Sequence, residues 1–173
     1  MKSMIRDIFT TFLVAVVVFF VLQVTIQVSI INGSSMEPDL YDGQRLIINK
    51  AVYFFEKPGR GDIIVFHPSE NHSSIPFIKR IIGLPGDTIE INDGQVLLDG
   101  EPLYEPYIKE PPGYQVKKLV VPPDSYFVLG DNRNLSNDSH SGWTVPRSQI
   151  IGKAWVSIWP PPLWGLAPHY APK

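Results

Sequence analysis

Hydrophobic positions along the chain fall into two regimes. From Ile8 to Ile31 there is no charged residue, and Phe12 to Leu22 is an unbroken apolar run. Coiled as a helix, those 24 residues extend about 36 Å, enough to cross a hydrocarbon core of about 30 Å. The pattern predicts a single transmembrane helix over residues 8–31. Beyond it the period drops to two. Strands are predicted at Arg45–Asn49, Asp62–His67, Pro76–Gly83, Thr88–Asn92, Gln95–Leu98, Gln115–Val121, Ser125–Leu129 and Ile150–Ile158, with Gly, Pro and Asp turns between many of them. Asp93-Gly94 marks a hairpin and Asp99-Gly100 a further turn. Ser69 to Ser74 reads as a polar loop, Glu101 to Gly113 as a Pro-rich excursion, and the tail from Trp159 as irregular. The part from residue 32 to 173 is therefore expected to be mainly β, with a small inserted subdomain at about 94–124.

Composition sharpens this picture. With 17 prolines and 13 glycines in 173 residues, many short connected strands are favoured over long helices. Lys2 and Arg6 precede the apolar run, which places residues 1–7 in the cytoplasm and the β domain on the far side of the membrane. A cleaved signal peptide begins in the same way, but Gln23, Thr25, Gln27 and Ser29 do not form a small-residue cleavage site. A net charge of -2 offers no basic surface for nucleic acid. With 0 cysteines, a thiol nucleophile, a thiolate zinc site and disulfides are all excluded. His67, His72 and His169 show no metal-ligand spacing, so neither a metal nor another cofactor is expected. The sequence leaves the oligomeric state open.

Catalysis in such a chain must use hydroxyl, amine, carboxylate or imidazole groups. Ser35 follows the apolar run directly and precedes Pro38, which fixes the local backbone. It reads either as an ordinary turn serine or as an exposed nucleophile. Alternation along Pro76–Gly83 puts Phe77, Lys79 and Ile81 on one face. The Lys79 amine either snorkels to water or is buried, and burial weakens it as an acid-stable cation. Bringing a lysine from about 10.4 to near 7 takes roughly 4.6 kcal/mol against the ammonium, which apolar walls can supply. A neutral amine can then act as base for a serine hydroxyl.

These residues resemble the type I signal peptidases, membrane-anchored serine proteases with a Ser-Lys dyad. The resemblance spans nearly the whole chain: the anchor followed by Ser35-Met36-Glu37-Pro38, the stretch from Gly61 to Pro68, Phe77 to Asp87, and Gly130 to Ser139. It implies an antiparallel β-sheet catalytic domain. It also implies that Ser35 is the nucleophile and Lys79 the general base, that Ser136 positions the amine, and that Asp138, with Arg133, holds the supporting network. Read from residue types alone, Asp131, Arg133 and Asp138 look like an ion-paired turn. Ile31, Met36, Leu40, Val65 and Ile78 are implied to line the substrate pockets. The implied partners are exported preproteins, cut after small residues of the Ala-x-Ala type, and membrane lipid. Three departures stand out: Gly33 stands where some members carry a serine donor for the oxyanion, Asp39 where threonine is more usual, and His140 where arginine is common. Neither of the last two touches the implied dyad, and His140 in a polar loop reads as ordinary surface or a local hydrogen-bond partner. Other readings are a silent membrane-anchored scaffold, a self-cleaving repressor, for which the DNA-binding domain is missing, and a dedicated processing enzyme for pilus or conjugation components.

Overall fold

The structure is a computed structural model that describes residues 2–68 and 75–170. The loop expected at Ser69–Ser74, with His72, lies outside the described residues. The first element is helix α1 (Lys2–Thr25), whose stretch Met4–Thr25 is long and apolar enough to cross a membrane. Phe12, Leu13, Val17, Phe19 and Phe20 are all exposed around it, so none of the described residues covers this apolar surface. Its threonines turn inward chemically: Thr10, Thr11 and Thr25 each donate their hydroxyl to the carbonyl four residues back.

The helix ends at Thr25, not at Ile31 as its lack of charge suggested. Residues 26–30 alternate Ile, Val and Ile with Gln and Ser, which is a strand period, and they form β1 (Ile26–Ile30). This strand pairs with β2 (Arg45–Asn49) from Ile26↔Asn49 to Ile30↔Arg45. The last helical carbonyl is satisfied at the junction, where Thr25 O accepts from Lys50 N–H at 2.8 Å and Ala51 N–H at 3.3 Å.

A short helix, α2 (Val52–Phe55), leads to β3 (Ile63–Phe66) and β4 (Phe77–Gly83). The hairpin β5 (Thr88–Asn92) and β6 (Gln95–Leu98) turns at Asp93 and Gly94, both with positive φ, as the Asp-Gly pair predicted. Then come β7 (Glu101–Pro102), β8 (Val116–Val120), β9 (Ser125–Leu129), β10 (Val145–Pro146), β11 (Ile150–Trp159) and β12 (Gly165–Leu166). All pairings are antiparallel. The large sheet runs β1-β2-β11-β3-β4-β9-β10 with β12 beside β11, and a smaller one runs β7-β6-β5-β8. The tail is thus less irregular than expected: β12 pairs with β11, and Ala167 N–H donates to Trp155 O at 2.8 Å.

Strand β3 shows how the sheet is built. Ile63 and Val65 enter one core with Met36, Leu40, Leu46 and Ile48, while Ile64 and Phe66 enter another with Ile81, Tyr126 and Val128. Both faces are covered, so the strand reads as continuously apolar. A third core, with Ile82, Ile89, Val96 and Phe127, joins the two sheets. There a Cβ on Gly83 would crowd Val121, Ile89 and Phe127. Position 83 lets β4 run close under the small sheet, and β4 in turn carries Lys79 into the middle of the large one.

Candidate active site

Ser35 sits on the turn that leaves β1. The turn is held at both ends: Ile31 N–H donates to Gln44 O, Gly43 N–H to Ile31 O, and Leu40 N–H to Met36 O. Gly33 takes φ +88°, in the left-handed region that favours glycine, and its N–H donates to Asp42 Oδ1 at 2.6 Å. From the other side Asn132 fixes the turn, donating its N–H to Ser35 O at 3.0 Å and its side-chain amide to Ser34 O at 3.1 Å. The Ser35 N–H takes no acceptor among the described residues.

Lys79 comes from the centre of β4, between β3 and β9. Its Nζ lies 2.7 Å from Ser35 Oγ and donates to Ile78 O at 2.8 Å. The Phe77 ring centroid is 5.5 Å away. Lys79 is only 4% exposed, and burial lowers its pKa to about 8, against opposing fields from Asp138 and Asp131. The alternation that put Phe77 and Lys79 on one face thus brings an apolar wall and an amine together.

The polar segment after β9 is wired differently from the expected ion-paired turn. Asp131, Arg133 and Asp138 do not pair with one another. Asp131 binds the buried Arg80 through two bonds of 2.8 and 2.6 Å, and Arg133 holds Glu105 through bonds of 2.7 and 2.6 Å. Asp138 faces His140 at 2.7 Å. Two of the three still act together, because both clasp Gly130: Asp138 Oδ2 accepts its N–H at 2.9 Å and Arg133 Nε donates to its carbonyl at 3.1 Å. Ser35 and Ser136 both lie against Gly130, since a Cβ there would overlap the Ser35 carbonyl and Ser136 Oγ. Ser136 Oγ is buried with no hydrogen-bond partner among the described residues, so it does not bond the amine in this structure.

A groove of about 530 Å³ opens over the pair. Of the residues implied to line substrate pockets, Ile31, Val65 and Ile78 lie on it, whereas Met36 and Leu40 do not. Those two are 0% and 1% exposed and belong to the core beneath. Sequence reasoning missed Ser29, Ile30, Ile75, Leu135 and Asn137 on the groove, and named Phe77 only as a wall for Lys79. Ser29 and Ile30 were hidden by assigning residues 26–31 to the helix, although their alternation was visible. Asn132 and Glu105 were missed too. Glu105 lies in the Pro-rich excursion, and no local pattern links it to Arg133.

Comparison with known proteins gives a consistent result. A family model described as signal peptidase, peptidase S26, matches residues 4–159. The chain is 52% identical over 136 residues to a signal peptidase I of Leptolyngbya laminosa, covering 75% of this chain and 67% of that protein. It is 48% identical over 140 residues to a probable signal peptidase I-2 of Synechocystis, covering 79% of this chain and 64% of that protein. The chain thus spans about two thirds of the length of these two relatives. A signal peptidase IB of Staphylococcus aureus is 30% identical over 177 residues, covering 92% of this chain and 91% of that protein. A crystal structure of a signal peptidase I from Enterococcus faecalis is similar at a TM-score of 0.50 and 34% identity, covering 57% of this chain and 97% of that one. Fold and comparisons define the class as a serine peptidase carried on an apolar helix. The chain belongs to the signal peptidase family, peptidase S26.

Proposed function

We propose that Ser35 is the nucleophile and Lys79 the general base with which this peptidase removes N-terminal signal peptides from exported preproteins. The observation that carries this is the 2.7 Å contact between Lys79 Nζ and Ser35 Oγ, made by an amine that is almost wholly buried. With the amine neutral, the hydroxyl donates to it. Ser35 Oγ then attacks the scissile carbonyl and its proton passes to Lys79. The ammonium returns that proton to the leaving amine, and the same amine next deprotonates the water that hydrolyses the acyl-enzyme. The unpaired Ser35 N–H supports a role as donor to the oxyanion.

Ser136 is proposed to position the amine, which its buried and unpartnered hydroxyl supports. Asp138 and Arg133 are proposed to support the site through Gly130. The substrate is an extended segment with small side chains before the cut. Edge strand β1 borders the groove and supports strand addition, while Ile31, Val65 and Ile78 give it apolar walls. Residues 1–7 are proposed to be cytoplasmic, with the β domain facing the other side, as Lys2 and Arg6 ahead of the helix support.

The test is cleavage of a model preprotein in liposomes by the full chain, Ser35→Ala and Lys79→Met. Both variants are expected to stay folded and to lose cleavage by at least about a thousandfold, the scale for losing a nucleophile or its base. In the wild type, kcat/KM rises with pH to a midpoint near 8, where the Lys79 amine becomes neutral. Near-normal cutting by Lys79→Met refutes the dyad. A wild-type chain that cuts no such precursor favours the scaffold reading.

A further inference from the structure

The proposed reaction makes no use of His140, yet this side chain closes the outer edge of Asp138. Asp138 is fully buried. Its Oδ2 accepts from Gly130 N–H, while Oδ1 meets His140 Nδ1 at 2.7 Å and accepts from His140 N–H at 3.2 Å. The imidazole is 25% exposed, so it exchanges protons with water while its partner stays dry. Tyr114, from the segment ahead of β8, stacks on it at 4.2 Å between ring centroids, and Ser141 Oγ lies 3.5 Å from Nε2. Burial pushes the Tyr114 phenol up, so it stays neutral. The titratable groups facing His140 are thus Asp138 and Tyr114. Two carboxylates project a field onto Lys79, Asp138 and Asp131. Asp131 is closed by Arg80, a permanent cation. Asp138 is closed by an imidazole, whose charge depends on pH and which Asp138 itself holds above its ordinary range.

We propose that His140 is a positioning residue for the dyad: by gaining or losing a proton against Asp138, it sets how much negative field reaches the Lys79 amine. This rests on Lys79 being the base. The sign follows from the charges. Asp138 holds His140 above the usual histidine range and raises Lys79 against its burial. As pH falls, His140 becomes a cation and cancels Asp138, which makes the Lys79 ammonium more acidic. A larger fraction of the amine therefore stays neutral than an isolated lysine would keep. Activity declines more gradually on the acid side than a single ionisation allows.

The experiment uses the full chain in detergent. It measures kcat/KM against pH for the wild type, His140→Gln and His140→Arg, and follows the imidazole titration by NMR in the wild type and Lys79→Met. The permanent cation of His140→Arg moves the acid limb to lower pH by on the order of half a unit, or roughly threefold in activity at a given acid pH. His140→Gln leaves the limb near 8 in place but loses roughly threefold below the range in which the imidazole titrates. Because linkage is reciprocal, Lys79→Met raises the His140 titration by a similar amount, and this arm leaves position 140 intact. Limbs that coincide in all three proteins, or a uniform loss of kcat with an unmoved limb, overturn the proposal. So does an unmoved imidazole titration in a Lys79→Met protein that has lost cleavage. Cleavage retained by Lys79→Met instead refutes the dyad itself.

Discussion

Lys79 shows at the scale of one residue why the site costs stability. Its amine is ordinarily protonated up to about pH 10.5 and in the folded chain only to about 8. Between those values the unfolded state binds more protons, so stability rises with pH across that window. Below it both states are protonated, and the folded state bears the full penalty of about 3 kcal/mol. Lys79→Met is therefore expected to melt higher than the wild type at pH 7 and to lack the gain in stability between pH 8 and 10.5. Thermal melts at both ends of that window check it; equal pH dependence in the two proteins rules the penalty out. The sequence showed half of this. It placed Lys79 beside Phe77 by alternation, but not the contact with Ser35, because the turn carrying Ser35 is set by Asn132, almost a hundred positions away in the chain.

At the scale of elements, β4 is the strand on which the site depends. One face carries Lys79 toward Ser35, and the next residue, Arg80, faces the opposite way with 0% exposure. Its guanidinium binds Asp131, donates to Gly61 O and Pro168 O, and lies 4.2 Å from the Tyr107 ring centroid. It ties the large sheet to the excursion and to the tail. Asp131→Asn leaves that buried charge with only the longer contact to Asp39 at 3.5 Å and is expected to cost about 3–5 kcal/mol, read as a fall in denaturation midpoint with an unchanged denaturant slope. A loss under about 1 kcal/mol would mean that Asp39, Tyr107 and the carbonyls suffice. Strands were legible where alternation met a clear turn signal: β2, β5, β6 and β9 match the expected spans to the residue. β1 was not, because absence of charge was weighed above period. A residue can be apolar enough for lipid and still be paired in a sheet.

The whole molecule consists of a membrane-anchoring helix and a β body joined without a linker. Thr25 ends the one and Ile26 begins the other. Lys50 reinforces the joint, its N–H on Thr25 O and its Nζ on Gln23 O at 2.8 Å. Tethering enzyme and precursor to one surface raises their effective concentration. A short Gly-Ser spacer inserted between Thr25 and Ile26 is expected to raise KM several-fold for a precursor inserted in liposomes, with cleavage of a soluble peptide unchanged. Equal KM values for the membrane-bound precursor would show that the joint does nothing beyond tethering.

That joint also has a metric consequence. From the helix end, five residues of β1 extend about 17 Å along the strand before the chain turns to Ser35, and their pairing with β2 fixes that length. On the proposed reading, the helix is a datum and β1 a gauge of fixed length. Two precursors with the same small residues before the junction then differ in fate if one holds that junction at another height above the bilayer. On that reading the bond that is cut is chosen by its distance from the membrane-embedded helix as well as by side-chain size.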